Sequence, residues 1–261
     1  MARPAHPLAR RWLTLDGLRL HYREGGRPGD LLPPVVMVHG LVVSSRYLLP
    51  TAALLAPHLR VLVPDLPGFG RSEGPRPALD VAGLAAHLGR WLDALAVEAP
   101  LLVANSLGCQ VVAELAAGSP RRWHGIVLTG PTVDRTRRTL PAQALRLLVD
   151  TLREPPKLAW IIATDALRAG PARVLRTTAA ALRHRVEERL PHVAAPTLVL
   201  RGGRDVLCPQ AWAEEVTALL PRGRLEVVRG APHALNFAAP QALAERVLRF
   251  ARDPAAGPAP S

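Results

Sequence analysis

The chain has 261 residues, of which 49% are hydrophobic and 4% aromatic, with a net charge of +12. That length and apolar content support one large, mainly aliphatic core, with room for an insertion. The charge is almost all arginine, since Lys157 is the sole lysine, and it is spread without a dense basic run interleaved with aromatics. This argues against a nucleic-acid or anionic-membrane partner and predicts a solvated basic surface.

The first elements read as a hairpin. "RWLTLDGLRLHYRE" is two short alternating runs around Asp16-Gly17, and Asp-Gly between such runs is a strong turn signal. "PPVVMVHG" is a continuous apolar run and predicts a strand buried on both faces, followed by a helix in "RYLLPTAALLAP". "RVLVPDLPGFGRS" predicts a second buried strand breaking into a Pro/Gly-rich loop. "LDVAGLAAHLGRWLDAL" has helical spacing, "PLLVANS" reads as a strand, "LGCQVVAELAAG" as a helix and "HGIVLTGP" as a strand. Alternation of this kind predicts a mostly parallel sheet with helices on both faces, an α/β fold.

The alternation stops at Pro131. From there to Leu190 the sequence reads as successive helices broken by Pro and Gly. It resumes with "APTLVLRGGRD" and runs through "PQAWAEEVTALL", "GRLEVVRGAPH" and "PQALAERVLRFA". The expected organisation is one discontinuous core, 1–130 with 191–252, and a helical cap at 131–190. Such a cap would roof the crevice at the carboxyl ends of the strands. The Pro- and small-residue-rich stretch 253–261 is expected to be disordered.

Cys109 and Cys208 have neither CxxC nor zinc-ligand spacing and read as buried small hydrophobes in a reducing cytoplasm. The N-terminal stretch lacks the apolar run of a signal peptide, and no apolar stretch is long enough to span a membrane. The expected location is therefore cytoplasmic. No His/Asp/Glu cluster has ligand spacing, so no metal is expected, and "PGFGRS" lacks the Lys-Ser/Thr ending of a phosphate loop.

Ser106 falls where a strand gives way to a helix, in Ala104-Asn105-Ser106-Leu107-Gly108. A sharp turn there exposes the hydroxyl, provided that the flanking residues are small. Asp205, in "LVLRGGRDVLCP", and His233, in "VVRGAPHALNF", each follow a later strand. Three chemistry-bearing residues thus end three different strands, in the order Ser, Asp, His. Each has an ordinary alternative as cap, turn residue or surface histidine, but the joint placement points to nucleophilic catalysis.

On these motifs the chain resembles the α/β-hydrolase fold family over nearly its whole length. "VVMVHGL" is similar to the family's His-Gly segment. "VLVPDLPGFGRS" is similar to its D-x-P-G-x-G-x-S loop, through Asp65, Pro67, Gly68, Gly70 and Ser72. The elbow departs from G-x-S-x-G at one position, with Ala104 replacing the first glycine. The resemblance implies Ser106 as nucleophile, His233 as general base and Asp205 as its orienting acid. It implies an oxyanion hole from the backbone N–H groups of Leu41 and Leu107. His39, Gly40, Asn105 and Gly108 are expected to support the site structurally. A serine at the elbow excludes the aspartate-dependent epoxide hydrolases and dehalogenases of this fold.

The implied reaction is hydrolysis of a carboxylic ester or related acyl bond of a small, hydrophobic substrate, without cofactor, in a monomer or homodimer. Asn105 before the serine also resembles the elbow of C–C bond hydrolases of meta-cleavage products, which use a cap arginine. Arg168, Arg173, Arg176 and Arg183 are candidates for that role. A non-catalytic ligand-binding member of the fold is the further alternative. The apolar residues of the cap, Trp160 among them, are expected to form an apolar roof.

Overall fold

A computed structural model describes residues 8–26, 32–119, 123–151 and 154–255. The chain opens with the expected hairpin, β1 (Ala9–Leu15) and β2 (Leu18–Gly25). Asp16 and Gly17 turn it at φ 52° and 74°. Two adjacent positive φ values are what a two-residue turn matched to strand twist requires, and Asp-Gly tolerates them.

Strands and helices then alternate: β3 (Val35–Val38), α1 (Ser45–Leu55), β4 (Val61–Pro64), α2 (Val81–Ala94), β5 (Leu101–Asn105), α3 (Leu107–Gly118) and β6 (Gly125–Thr129). Between β6 and the next strand come α4 (Leu140–Thr151), α5 (Pro156–Ala169) and α6 (Pro171–Arg183), with short 3-10 turns on either side. The alternation resumes with β7 (Thr197–Gly202), α7 (Gln210–Leu219), β8 (Gly223–Val228), the single turn α8 (Leu235–Ala238) and α9 (Pro240–Arg252). The eight strands form one sheet in the order β1-β2-β4-β3-β5-β6-β7-β8. Only the β1–β2 and β2–β4 pairs are antiparallel.

Every residue of β3, β4, β5 and β6 is buried. Successive side chains serve opposite faces of the sheet, as the period of two dictates. Val36, Val38, Leu62, Leu102, Ala104 and Leu128 join a core with α2, α3 and α7. Val35, Met37, Val61, Val63, Leu101 and Val127 join a second core with α1 and α9. Both faces are therefore covered, which is why these strands read as unbroken apolar runs.

The 131–190 segment fastens to loops at the carboxyl ends of β3 and β4. On α5, Leu158, Ile161, Ile162 and Asp165 recur at helical spacing, and the three apolar ones pack on the α1–α9 core. The buried Asp165 carboxylate accepts from Ser44 Oγ at 2.6 Å and Arg46 Nη1 at 2.9 Å. On α6, Arg173 Nη2 donates to the carbonyls of Gly74 and Pro75. The expected apolar roof needs one correction: Trp160 is 69% exposed and Leu167 81%. They lie on the side of α5 opposite the Leu158–Asp165 stripe, so Trp160 faces outward and roofs nothing.

The stretch expected to be disordered, 253–261, is hydrogen-bonded at its first residues. Asp253 N–H bonds the Arg249 carbonyl and Ala255 N–H the Asp253 carboxylate. Residues 256–261 lie outside the described residues. Among those described, no helix is long and apolar enough to cross a membrane.

Phe250 of α9 is buried against Gly125, where a Cβ would stand 2.7 Å from its ring. Phe250→Ala should lower stability by about 3–5 kcal/mol, since the cavity is walled by sheet backbone that cannot collapse. Chemical denaturation followed by circular dichroism checks it.

Candidate active site

Ser106 sits between β5 and α3 at φ 54°, ψ −121°, a backbone conformation rarely adopted by a side-chain-bearing residue. Such strain persists only where surrounding contacts fix it. Here Ser106 N–H donates to the Thr129 carbonyl at 3.1 Å, and Cys109 N–H to the Ser106 carbonyl at 2.9 Å. Gly108 lets α3 approach β3, since a Cβ there would lie 2.5 Å from the Val38 carbonyl oxygen. Ala104 stands where the family elbow has its first glycine, and its side chain is absorbed in the core. Within the buried run from Leu101 to Gln110, Ser106 alone is partly exposed.

Asp205 and His233 form a buried pair, with Nδ1 and Oδ2 at 2.8 Å. The other Asp205 oxygen accepts from the N–H groups of Leu207 and Cys208, at 2.8 and 2.9 Å. Those two donors hold the carboxylate in one orientation. It can only accept, so the histidine proton lies on Nδ1 and Nε2 carries a free lone pair in the neutral ring. Nε2 is buried and has no partner among the described residues. Burial alone would depress the His233 pKa, but the charge and hydrogen bond of Asp205, together with the charges of Asp150 and Glu154, outweigh it, and the pKa is pushed up to about 9.

β6 lies between β5, which carries the serine, and β7, which leads to the acid. The histidine loop must therefore reach back over the end of β6. Gly130 follows that strand at φ 54°, and a Cβ there would lie 2.8 Å from His233 Nδ1 and 2.9 Å from Asp205 Oδ2. The sequence offered only a glycine after an apolar run, so Gly130 went unread as a site residue.

Asn105 ties the histidine loop to the elbow. Its Nδ2 donates to the carbonyls of Thr129, at 3.1 Å, and His233, at 3.3 Å. Its Oδ1 accepts from the Tyr47 hydroxyl. Tyr47, from α1, carried no sequence signal. Gly40 lies against the elbow, with its Cβ position 3.1 Å from Ser106 Cβ. Neither Leu41 N–H nor Leu107 N–H has an acceptor among the described residues.

His39 is fully buried and fully used. Leu66 N–H donates to its Nε2 at 2.9 Å, so the ring proton lies on Nδ1, which donates to the Gly40 carbonyl at 2.7 Å. Burial lowers its pKa and keeps it neutral. The Leu66 end of this bridge is fixed by Asp65, which accepts from Ser45 N–H, Arg71 N–H and His21 Nδ1. The D-x-P-G-x-G-x-S loop thus braces the turn that sets the Leu41 N–H.

The four candidate arginines have other partners or line a surface groove. Arg168 pairs with Asp165 at 3.4 Å, and Arg173 holds the loop at Gly74–Pro75. Arg176 and Arg183 line a surface groove of about 410 Å³ with Leu79 and Asp80. Among the described residues, no three His, Cys, Asp or Glu side chains gather to hold a metal ion.

The fold, with an elbow serine and a buried acid–histidine pair at the ends of its strands, is that of the α/β-hydrolase class. The model of the Alpha/beta hydrolase family matches residues 35–246, and the chain belongs to that family. The polyketide synthase ThaQ of Burkholderia thailandensis is 30% identical over 90% of this chain, which spans 12% of that synthase. An esterase from Thermogutta terrifontis superposes with a TM-score of 0.79 at 22% identity, covering 95% of this chain and 100% of its own. The enol-lactonase from Burkholderia xenovorans gives 0.78 at 22% identity, over 92% and 99%.

Gly130→Ala should break the His233–Asp205 bond while leaving the fold intact. In the unsubstituted protein the His233 Nδ1 proton should give a downfield, exchange-protected NMR signal. The substituted protein should lose it at unchanged far-ultraviolet circular dichroism.

Proposed function

We propose that this protein is a serine hydrolase that cleaves the carboxylic ester of a small substrate through an acyl-enzyme. The observation that carries this reading is the buried His233–Asp205 pair, with Nε2 left without a partner, next in the fold to a strained elbow serine. Ser106 Oγ attacks the ester carbonyl carbon while His233 Nε2 takes its proton. Asp205 stabilises the resulting imidazolium. The tetrahedral oxyanion is held by the N–H groups of Leu41 and Leu107, aided by the positive end of α3. Collapse expels the alcohol, which leaves with the His233 proton, and the acyl group remains on Ser106. Water then enters and its oxygen attacks the acyl carbon while His233 Nε2 takes its proton; the bond to Ser106 Oγ breaks, the proton passes from His233 to that oxygen, and the acid is released.

The helical segment 131–190 acts as a cap over this site, held at Asp165 and Arg173. Two free, buried thiols, Cys109 and Cys208, fit a reducing cytoplasm. The C–C hydrolase alternative drew on Asn105 and on cap arginines. Asn105 has both ends of its amide bonded to protein, and the arginines have other partners or line a surface groove, so no observation favours it.

A fluorophosphonate probe should add once to the protein, read by intact mass, and should not add to Ser106→Ala or His233→Ala. No adduct on the folded parent protein would overturn the reading and favour a ligand-binding role. Asp205→Asn should cut ester turnover by about 10⁴-fold, because the imidazole loses its tautomer and the support of its charge. The base must be neutral, so kcat/KM should fall as pH drops through the raised His233 pKa. The acid limb should therefore lie well above the ordinary histidine value of 6.5.

A further inference from the structure

A second carboxyl group stands against the histidine loop and has no part in the steps above. Glu154 lies between α4 and α5. Its Oε1 accepts from Ala234 N–H, the residue after His233, at 2.7 Å. Its Oε2 is buried and has no hydrogen-bond partner among the described residues. Buried polar oxygens are nearly always bonded to something, so an unbonded one beside a reactive histidine asks for a ligand.

The surroundings say what kind. The charges acting on Glu154 are Asp150 of α4, Asp205 and His233. Tyr47 of α1 feels the Glu154 charge in turn. Two carboxyls of the 131–190 segment, Asp150 and Glu154, therefore lie close enough to the buried pair for their charges to act on His233. An anionic substrate entering here meets like charge in a low-dielectric setting.

From this geometry we infer that Glu154 is a specificity-determining residue, whose free Oε2 accepts a hydrogen bond from an ammonium, hydroxyl or amide N–H of the substrate and disfavours substrates with a carboxylate. The inference rests on the serine-hydrolase reading and narrows its substrate class to neutral or cationic donor-bearing esters. It also runs against an acidic dienol substrate. Burial pushes the Glu154 pKa up to about 7. The group is charged above that pH and neutral below it, so discrimination by charge should grow as pH rises through 7.

The test uses p-nitrophenyl esters whose acyl chains end in methyl, hydroxyl, trimethylammonium or carboxylate. Rates are normalised to the fraction of Ser106 titrated by a fluorophosphonate, for the unsubstituted chain and for Glu154→Gln. The ammonium-to-carboxylate ratio of kcat/KM should be about tenfold at pH 8. It should shrink at pH 6, and in Glu154→Gln it should fall to about unity at both pH values. Glutamine keeps the oxygen and the shape, so a merely structural role would leave the ratio unmoved. Full titration of Ser106 with an unchanged ratio in Glu154→Gln overturns the inference alone. Absence of titration in the unsubstituted chain overturns the hydrolase reading, and the inference falls with it.

Discussion

A buried imidazole–carboxylate pair fits over the end of β6 only because the residue that follows the strand is Gly130. The serine and the acid come from strands on either side of β6, and the histidine from beyond the acid. Any route from His233 toward Ser106 crosses the space a side chain at 130 would fill. Around this gap the other contacts fall into place. Asp205 is oriented by two backbone N–H groups, and Asn105 links the elbow to the His233 carbonyl.

The elbow rests on a different constraint, the close approach of α3 to β3. Gly108 permits it, and the resulting turn holds Ser106 in a conformation that costs of order 1–3 kcal/mol. The neighbouring turn is braced by the neutral imidazole of His39, joined at one nitrogen to Leu66 and at the other to Gly40. The loop at Asp65 and the turn at Gly40 are thereby one unit. The 131–190 segment binds the same unit, since Asp165 bonds Ser44 just after that turn and Arg173 bonds the chain just after Ser72.

Much of this was legible because the relevant signals are local. Buried parallel strands read as apolar runs, Asp16-Gly17 names its own turn, and the elbow, acid and histidine each follow a strand. The helical segment announced itself by the loss of alternation. What escaped was long-range. Tyr47 reaches Asn105 across 58 positions, and Glu154 reaches Ala234 across 80. Periodicity cannot report such pairings. Trp160 was misread for a related reason: an aromatic in an apolar helix suggests burial, but the helix turns its Leu158–Asp165 stripe inward instead. Gly130 was visible as a letter, yet its role depends on what two other strands place above it.

The most direct test of the account is the structure of the protein after reaction with a phosphonate ester. The account places the phosphorus on Ser106 Oγ, with the phosphoryl oxygen accepting from the N–H groups of Leu41 and Leu107 and His233 Nε2 within hydrogen-bond distance of the serine oxygen. Phosphorus on another side chain, or a phosphoryl oxygen turned away from both N–H groups, would contradict it.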